Sequence, residues 1–194
     1  SVAGAPEQGL FGPVVQVGRS GDGSLTVSNN GLVRLDGEFS NLVVGGRFGS
    51  QGTLNINSNG DVRLEGDAAD ASVIFAGNEF SRANVTLDSG GVLQLLGADT
   101  NLQMGNQGLA TVIVDGGTIA NQGTSATTSI GGFDAYRVEV TVDNFGQIQT
   151  TGDMFIGGGG GYGKASLTIL GGGFVNAETL SVFEGGTLAG VGNV

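Results

Sequence analysis

The chain has no cysteine and no histidine in its 194 residues. The first absence excludes disulfide stapling and thiolate metal sites. The second removes the commonest general base and metal ligand, so an enzymatic site would have to be built from carboxylates, arginine or tyrosine. Positive charge is scarce as well: seven Lys and Arg, with Lys164 the single lysine, stand against 18 Asp and Glu, for a net charge of −11. A nucleic acid would meet repulsion instead of the basic surface it requires, so it is not an expected partner. No apolar run approaches the roughly 18 residues of a membrane helix and no basic amphipathic segment occurs, so insertion of this segment into a membrane is not expected. The opening "SVAGAP" lacks the basic and apolar regions of a signal peptide, which leads to the expectation that an export signal was removed or never existed. With only two prolines and no G-X-Y period, the 40 glycines do not make a collagen.

Those glycines are interleaved with short Val/Ile/Leu clusters that lift the hydrophobic share to 39%, enough to bury a core and too much for a disordered linker. The longest glycine-free stretch, Phe133 to Phe145, carries the alternation Val138-Glu139-Val140-Thr141-Val142 of a half-buried strand. Almost no helix is expected.

A pattern then recurs six times: an apolar cluster closed by glycine, a polar loop, an "LTV"-like strand, a turn glycine and a second apolar pair. Its first copy runs Val15–Gly18, Ser24–Val27 and Gly31–Leu35; its sixth runs Met154–Gly157, Ser166–Ile169 and Gly173–Ala177; a seventh opens at Leu180. The turn glycines at 31, 60, 91, 117, 146 and 173 lie 26 to 31 residues apart. One such unit cannot cover its own apolar side chains, whereas stacked units can. The predicted fold is all-β: a parallel β-solenoid (β-helix) over residues 13–194, about six to seven turns of three short strands with 26–31 residues per turn, preceded by residues 1–12 as a cap or extension. Alternation places Val15/Leu42/Val73/Leu102/Met154 and Val17/Val44/Phe75/Met104/Ile130/Ile156 inward from the first strand. The second strand adds the Leu25 and Val27 columns, and the third adds Val33/Val62/Leu93/Ile119/Ile148/Val175.

Several residues invite a chemical reading. Gly158, Gly163 and Lys164 fall at the spacing of G-x-x-x-x-G-K, but Ala165 stands where a Walker loop needs Ser or Thr, and Ser166–Ile169 aligns with a strand in every other copy. No cofactor is expected from this stretch, and Lys164 is expected in an exposed loop. Asp88, Asp115 and Asp143 occupy equivalent places in three successive turns, where a calcium ion is a candidate bridge and splaying into solvent the plainer expectation. Thr26, Asn55, Thr86, Ile113, Thr141 and Thr168 form an outward column like an ice-binding ladder, but the column Ser28, Asn57, Asp88, Asp115, Asp143, Leu170 beside it is too charged and irregular for that role. Arg34 and Arg63 with Asp36 and Glu65 resemble the charge cluster of a polysaccharide lyase, and read more simply as an exposed ion-pair ladder. Phe48, Phe80, Phe133, Tyr136 and Tyr162 recur after the first strand and are expected to pack along one corner. Outward Val43, Ile74 and Phe155 are the candidate lateral contact, and Leu188, Val191 and Val194 the candidate end contact, for a second copy of the chain or a cell-surface or matrix component.

"VGRSGDGSLTVSNNGLV" at 17–33, "VGGRFGSQGTLNINSNG" at 44–60 and the closing "GGTLAGVGNV" resemble the Gly-rich repeats of bacterial surface and secreted proteins. Similar repeats occur in autotransporter passengers and in PEP-CTERM exosortase-sorted proteins. The resemblance implies a non-catalytic structural or adhesive role, secreted or at the surface of a Gram-negative bacterium. It also allows a filament subunit that stacks head to tail. The alternative from another class is a carbohydrate-active or glycan-binding β-helix.

Overall fold

A computed structural model describes residues 2–3, 12–65, 71–132, 136–158 and 163–194 of the chain. Among them every regular element is a β-strand, and every strand pairs with another in parallel. After β1 (Val2–Ala3), the first turn comprises β2 (Val14–Val17), β3 (Asp22–Val27) and β4 (Leu32–Asp36), and the second comprises β5 (Asn41–Val44), β6 (Gln51–Ile56) and β7 (Asp61–Glu65). β8 (Ala71–Phe75) and β9 (Arg82–Asp88) lead into β10 (Val92–Met104), and β11 (Leu109–Asp115) leads into β12 (Thr118–Ile130). The chain ends with β13 (Arg137–Asp143), β14 (Gln147–Thr150), β15 (Asp153–Ile156), β16 (Lys164–Ile169), β17 (Phe174–Asn176), β18 (Thr179–Val182) and β19 (Gly186–Gly190).

These strands coil into the expected solenoid of about six turns. All the second strands, from β3 to β19, stack into one seven-stranded sheet. The first and third strands join in a twelve-stranded sheet, because β10 and β12 each run through a corner and serve as the third strand of one turn and the first of the next. Three separate strands per turn, as the repeat predicts, therefore holds at the two ends and not in the middle. Gly97 and Gly123 keep φ out of the positive range that Gly37 and Phe39 take at the same corner of the first turn, so the backbone stays extended and pairing continues across them.

The corner after the second strand has a specific chemistry. Gly31 N–H donates to Ser28 O at 2.9 Å and Gly60 N–H to Asn57 O at 2.8 Å, each closing a four-residue turn. Both central residues of these turns have positive φ: Asn29 and Asn30 at 54° and 60°, Ser58 and Asn59 at 49° and 61°, Asn144 and Phe145 at 48° and 65°. That is the type I′ pattern, which asparagine and glycine tolerate best. The glycine that follows serves a different need. A Cβ on Gly60 or Gly146 would be driven into the carbonyl group of Val27 or Val114 in the turn beneath, so close stacking, not φ, selects it.

Registers place the predicted inward residues in continuous columns, such as Leu54–Val85–Val112–Val140–Leu167, all buried. Each fully buried aliphatic side chain contributes about 1.5–3 kcal/mol. The third strand supplies a second inward column that the alternation also allowed but the sequence reading did not include: Leu35, Leu64, Leu95, Asn121, Thr150. There the lining changes from aliphatic to polar. Buried Asn121 donates through Nδ2 to Thr127 O at 2.8 Å and to Thr128 Oγ1 at 3.1 Å, and Thr128 Oγ1 lies 2.8 Å from Thr150 Oγ1.

At one end β1 adds to β4, so Val2 and Ala3 extend the third-strand face by one strand. At the other end the core columns run out uncovered. Val182 and Leu188 stand in the columns of buried Ile156 and Leu167, yet are 47% and 38% exposed.

Candidate functional site

Lys164 is exposed, but it is the first residue of β16 and not part of a loop, and it stands beside Arg137 in the ladder. A strand thus occupies the place where a phosphate loop opens its helix. Tyr162 lies outside the described residues, as does Phe133.

Asp88, Asp115 and Asp143 do fall in one column, paired directly across β9, β11 and β13. Asn144 joins two of them: its Nδ2 donates to Asp115 Oδ1 at 2.5 Å and its backbone N–H to Asp143 Oδ1 at 2.8 Å. Among the described residues, no three acidic side chains gather into a group able to hold a metal ion.

The arginine pair is more fully engaged than the sequence suggested. Arg34 bridges Asp36 at 3.1 Å and Glu65 of the next turn at 2.5 Å. Arg63 turns the other way, to Asp61, at 2.5 Å through Nη2 and 2.7 Å through Nε. The hydrogen bond and the charge of Asp61 raise the Arg63 pKa above its ordinary value. Asp61 is a partner the sequence analysis missed, though its place two residues before Arg63 on the same strand face marks it.

Three of the five recurrent aromatics pack together along the corner. Phe48 meets Phe80 edge-on at 5.1 Å, and Phe80 meets Tyr136 at 5.2 Å. The lateral apolar strip is interrupted: the register runs Val43, Ile74, Gln103, Ser129, Phe155, so two polar residues separate the aliphatic pair from Phe155. Phe155 packs instead on Phe183 of the last turn, with ring centroids 5.7 Å apart. Gln103, Ser129 and Phe155 border a cleft of about 360 Å³ over Gly131 and Gly157.

A second cleft, about 480 Å³, lies where β10 and β12 round their shared corner. Its wall is the outward column Asn41–Ser72–Asn101–Thr127, with Asp99 and Ser125 paired alongside. Phe39 closes one end. Its backbone has a φ of 58° and is held on both sides: Asn41 Nδ2 donates to Phe39 O at 2.7 Å, and buried Ser40 donates through Oγ to Gly37 O at 2.9 Å. Among the described residues, Asn101 Oδ1 and Thr100 Oγ1 are buried and have no hydrogen-bond partner. An unsatisfied buried acceptor of this kind costs about 1–3 kcal/mol.

Compared with known protein families, curated proteins and solved structures, the chain matches none of them.

Proposed function

We propose that the chain is a non-catalytic structural or adhesive β-solenoid of the cell surface or extracellular matrix, able to extend by stacking head to tail on a second copy. The observation that carries this reading is the uniform parallel pairing of the solenoid: each turn offers the next the same ladder of backbone groups and the same aliphatic columns, so the edge strands β18 and β19, with Val182 and Leu188 in those columns, fit a further turn of the same kind. Secretion and a bacterial surface location follow from the repeat resemblance and suit an acidic chain without cysteine. Sedimentation velocity and electron microscopy across a concentration series test the assembly. The expected result is rods longer than one molecule that shorten to single units in Leu188→Lys; a monodisperse 19.3 kDa species at high concentration removes the proposal. Polysaccharide cleavage through Arg34 and Arg63 finds less support, since both guanidinium groups are occupied by carboxylates of their own face.

A further inference from the structure

We infer that the sheet of second strands is a self-association face, on which two copies pack with their rods parallel about a two-fold axis that runs along the rod. The inference goes beyond end-to-end stacking and does not depend on it, because it rests on this face alone.

The face is continuous and is made of described strands. β3, β6, β9, β11, β13 and β16 pair residue on residue, from the Asp22–Lys164 column at one edge to the Val27–Ile169 column near the other, so their outward side chains stand in straight rows. Charge on it is segregated. The row at the strand starts opens with Asp22 and then holds Arg82, Arg137 and Lys164, whereas the row at the strand ends holds Asp88, Asp115 and Asp143. The two rows between them are hydroxyls and amides, with Ile113 and Glu139 as the exceptions.

Symmetry turns that polarity into a match. A two-fold contact sets one patch against itself, and two rods laid side by side can meet about only two such axes. An axis across the rod lays the acidic row on the acidic row. An axis along the rod, centred on the buried Val85–Val112–Val140 column, exchanges the two edges, so Arg82 meets the partner's Asp88 and Arg137 meets the partner's Asp143. The inner rows then bring Asn84 to the partner's Thr86 and Ser166 to the partner's Thr168, groups that each donate and accept. Arg137 is already shared with Glu139 of its own strand, which leaves the exposed Arg82 to carry more of the match.

The net charge of −11 on each copy opposes association. At about 0.15 M salt, however, charges more than about 8 Å apart are largely screened while groups in contact are not, so the local pairing decides. Seven strands about 4.8 Å apart, and seven residues per strand at about 3.3 Å, give a face of roughly 29 by 20 Å, or about 600 Å². A standard interface buries about 800 Å² per partner, so this polar face suits a dimer that dissociates.

The test is sedimentation equilibrium of the full chain at about 0.15 M salt, in a Leu188→Lys background that removes end stacking. A monomer–dimer equilibrium with a Kd of about 10–100 µM is expected. Arg82→Glu or Asp88→Arg alone should weaken it at least about tenfold, and the two together should restore it to within about threefold, because each reversed charge then meets a reversed partner. Val43→Lys, on the first-strand face, should change nothing. Arg82 and Asp88 point outward from β9, so the core is untouched, and melting temperatures check that each variant is folded. A background chain still monomeric at about 1 mM overturns the inference. So do single variants that dimerise as tightly as the background, a double variant as weak as the single ones, or a dimer dissolved by Val43→Lys. Dimers in the background, with no rods longer than one molecule from the parent chain, support this face and remove the stacking proposal.

Discussion

Replacing Thr128 by valine tests whether the polar break in the core is held as described. The hydroxyl meets Thr150 Oγ1 at 2.8 Å and Asn121 Nδ2 at 3.1 Å, and all three residues are buried. Valine keeps the shape and removes both contacts, leaving the Thr150 hydroxyl without its partner and Asn121 with one fewer acceptor. A buried polar group left unsatisfied costs about 1–3 kcal/mol, and the gain from the extra methyl offsets part of it, so a net loss of about 1–2 kcal/mol is expected. The triple variant Asn121→Leu, Thr128→Val, Thr150→Val removes the whole set, including the unsatisfied Asn121 Oδ1, and restores the aliphatic columns of Leu95 and Leu102 through this level. It should be about as stable as the parent, since the three side-chain partners become apolar together and only the Thr127 carbonyl loses a donor. Urea denaturation followed by circular dichroism gives the comparison through the transition midpoint, which stays meaningful if the rod unfolds in stages. A single Thr128→Val variant as stable as the parent would refute the reasoning.

Other expectations are briefer. Gly146→Ala should cost about 2–3 kcal/mol because its Cβ meets Asp143 O at 2.8 Å and the Val114 carbonyl group, whereas Gly49→Ala, in open space at a φ of 68°, should cost only about 1 kcal/mol; denaturation midpoints distinguish them. Phe80→Ala removes the middle ring of three, and thermal melting should show a loss of about 1–2 kcal/mol that is shared in a double-mutant cycle with Phe48→Ala. Calcium at about 5 mM should leave the melting temperature unchanged, as Asp115 and Asp143 accept from Asn144; a rise abolished by Asp115→Asn would instead establish the aspartate ladder as a cation site. Asp61→Asn should cost under about 1 kcal/mol, since the Arg63 side chain is 43% exposed. The stability that comes with the raised Arg63 pKa is fully present below the arginine's unfolded pKa and fades only at extreme alkaline pH, so a melting series from pH 5 to about 9 should not reveal it.

Much of the architecture could be read from the chain because the solenoid repeats one physical requirement at every turn. An aliphatic residue such as Val85 must sit above Leu54 and below Val112, and a period-two strand with a glycine corner is a short message to detect. What stayed hidden depended on the deviations. Fusion of strands in β10 and β12 follows from an extended backbone at Gly97 and Gly123, glycines that read in the sequence like those of any corner. Asn121, Thr128 and Thr150 were invisible as core because each is a common surface residue, and only register shows that they face one another. The cleft is further still from the linear chain. Phe39, Asp99 and Thr127 belong to different turns, and no local pattern connects them.

The shared strands of β10 and β12 bear on how the rod would respond to tension. The ladder hydrogen bonds run along the rod axis, so a pull between the two ends detaches whole turns and does not slide strands past one another. Turns at the ends, held by strands of three to six residues such as β17 and β3, should peel first. The pair β10–β12, two strands of 13 residues each, should separate last. Each released turn of 26–31 residues adds about 90–110 Å of extended chain. A surface protein built this way would lengthen in steps under load, shedding its outer turns while the central clamp held.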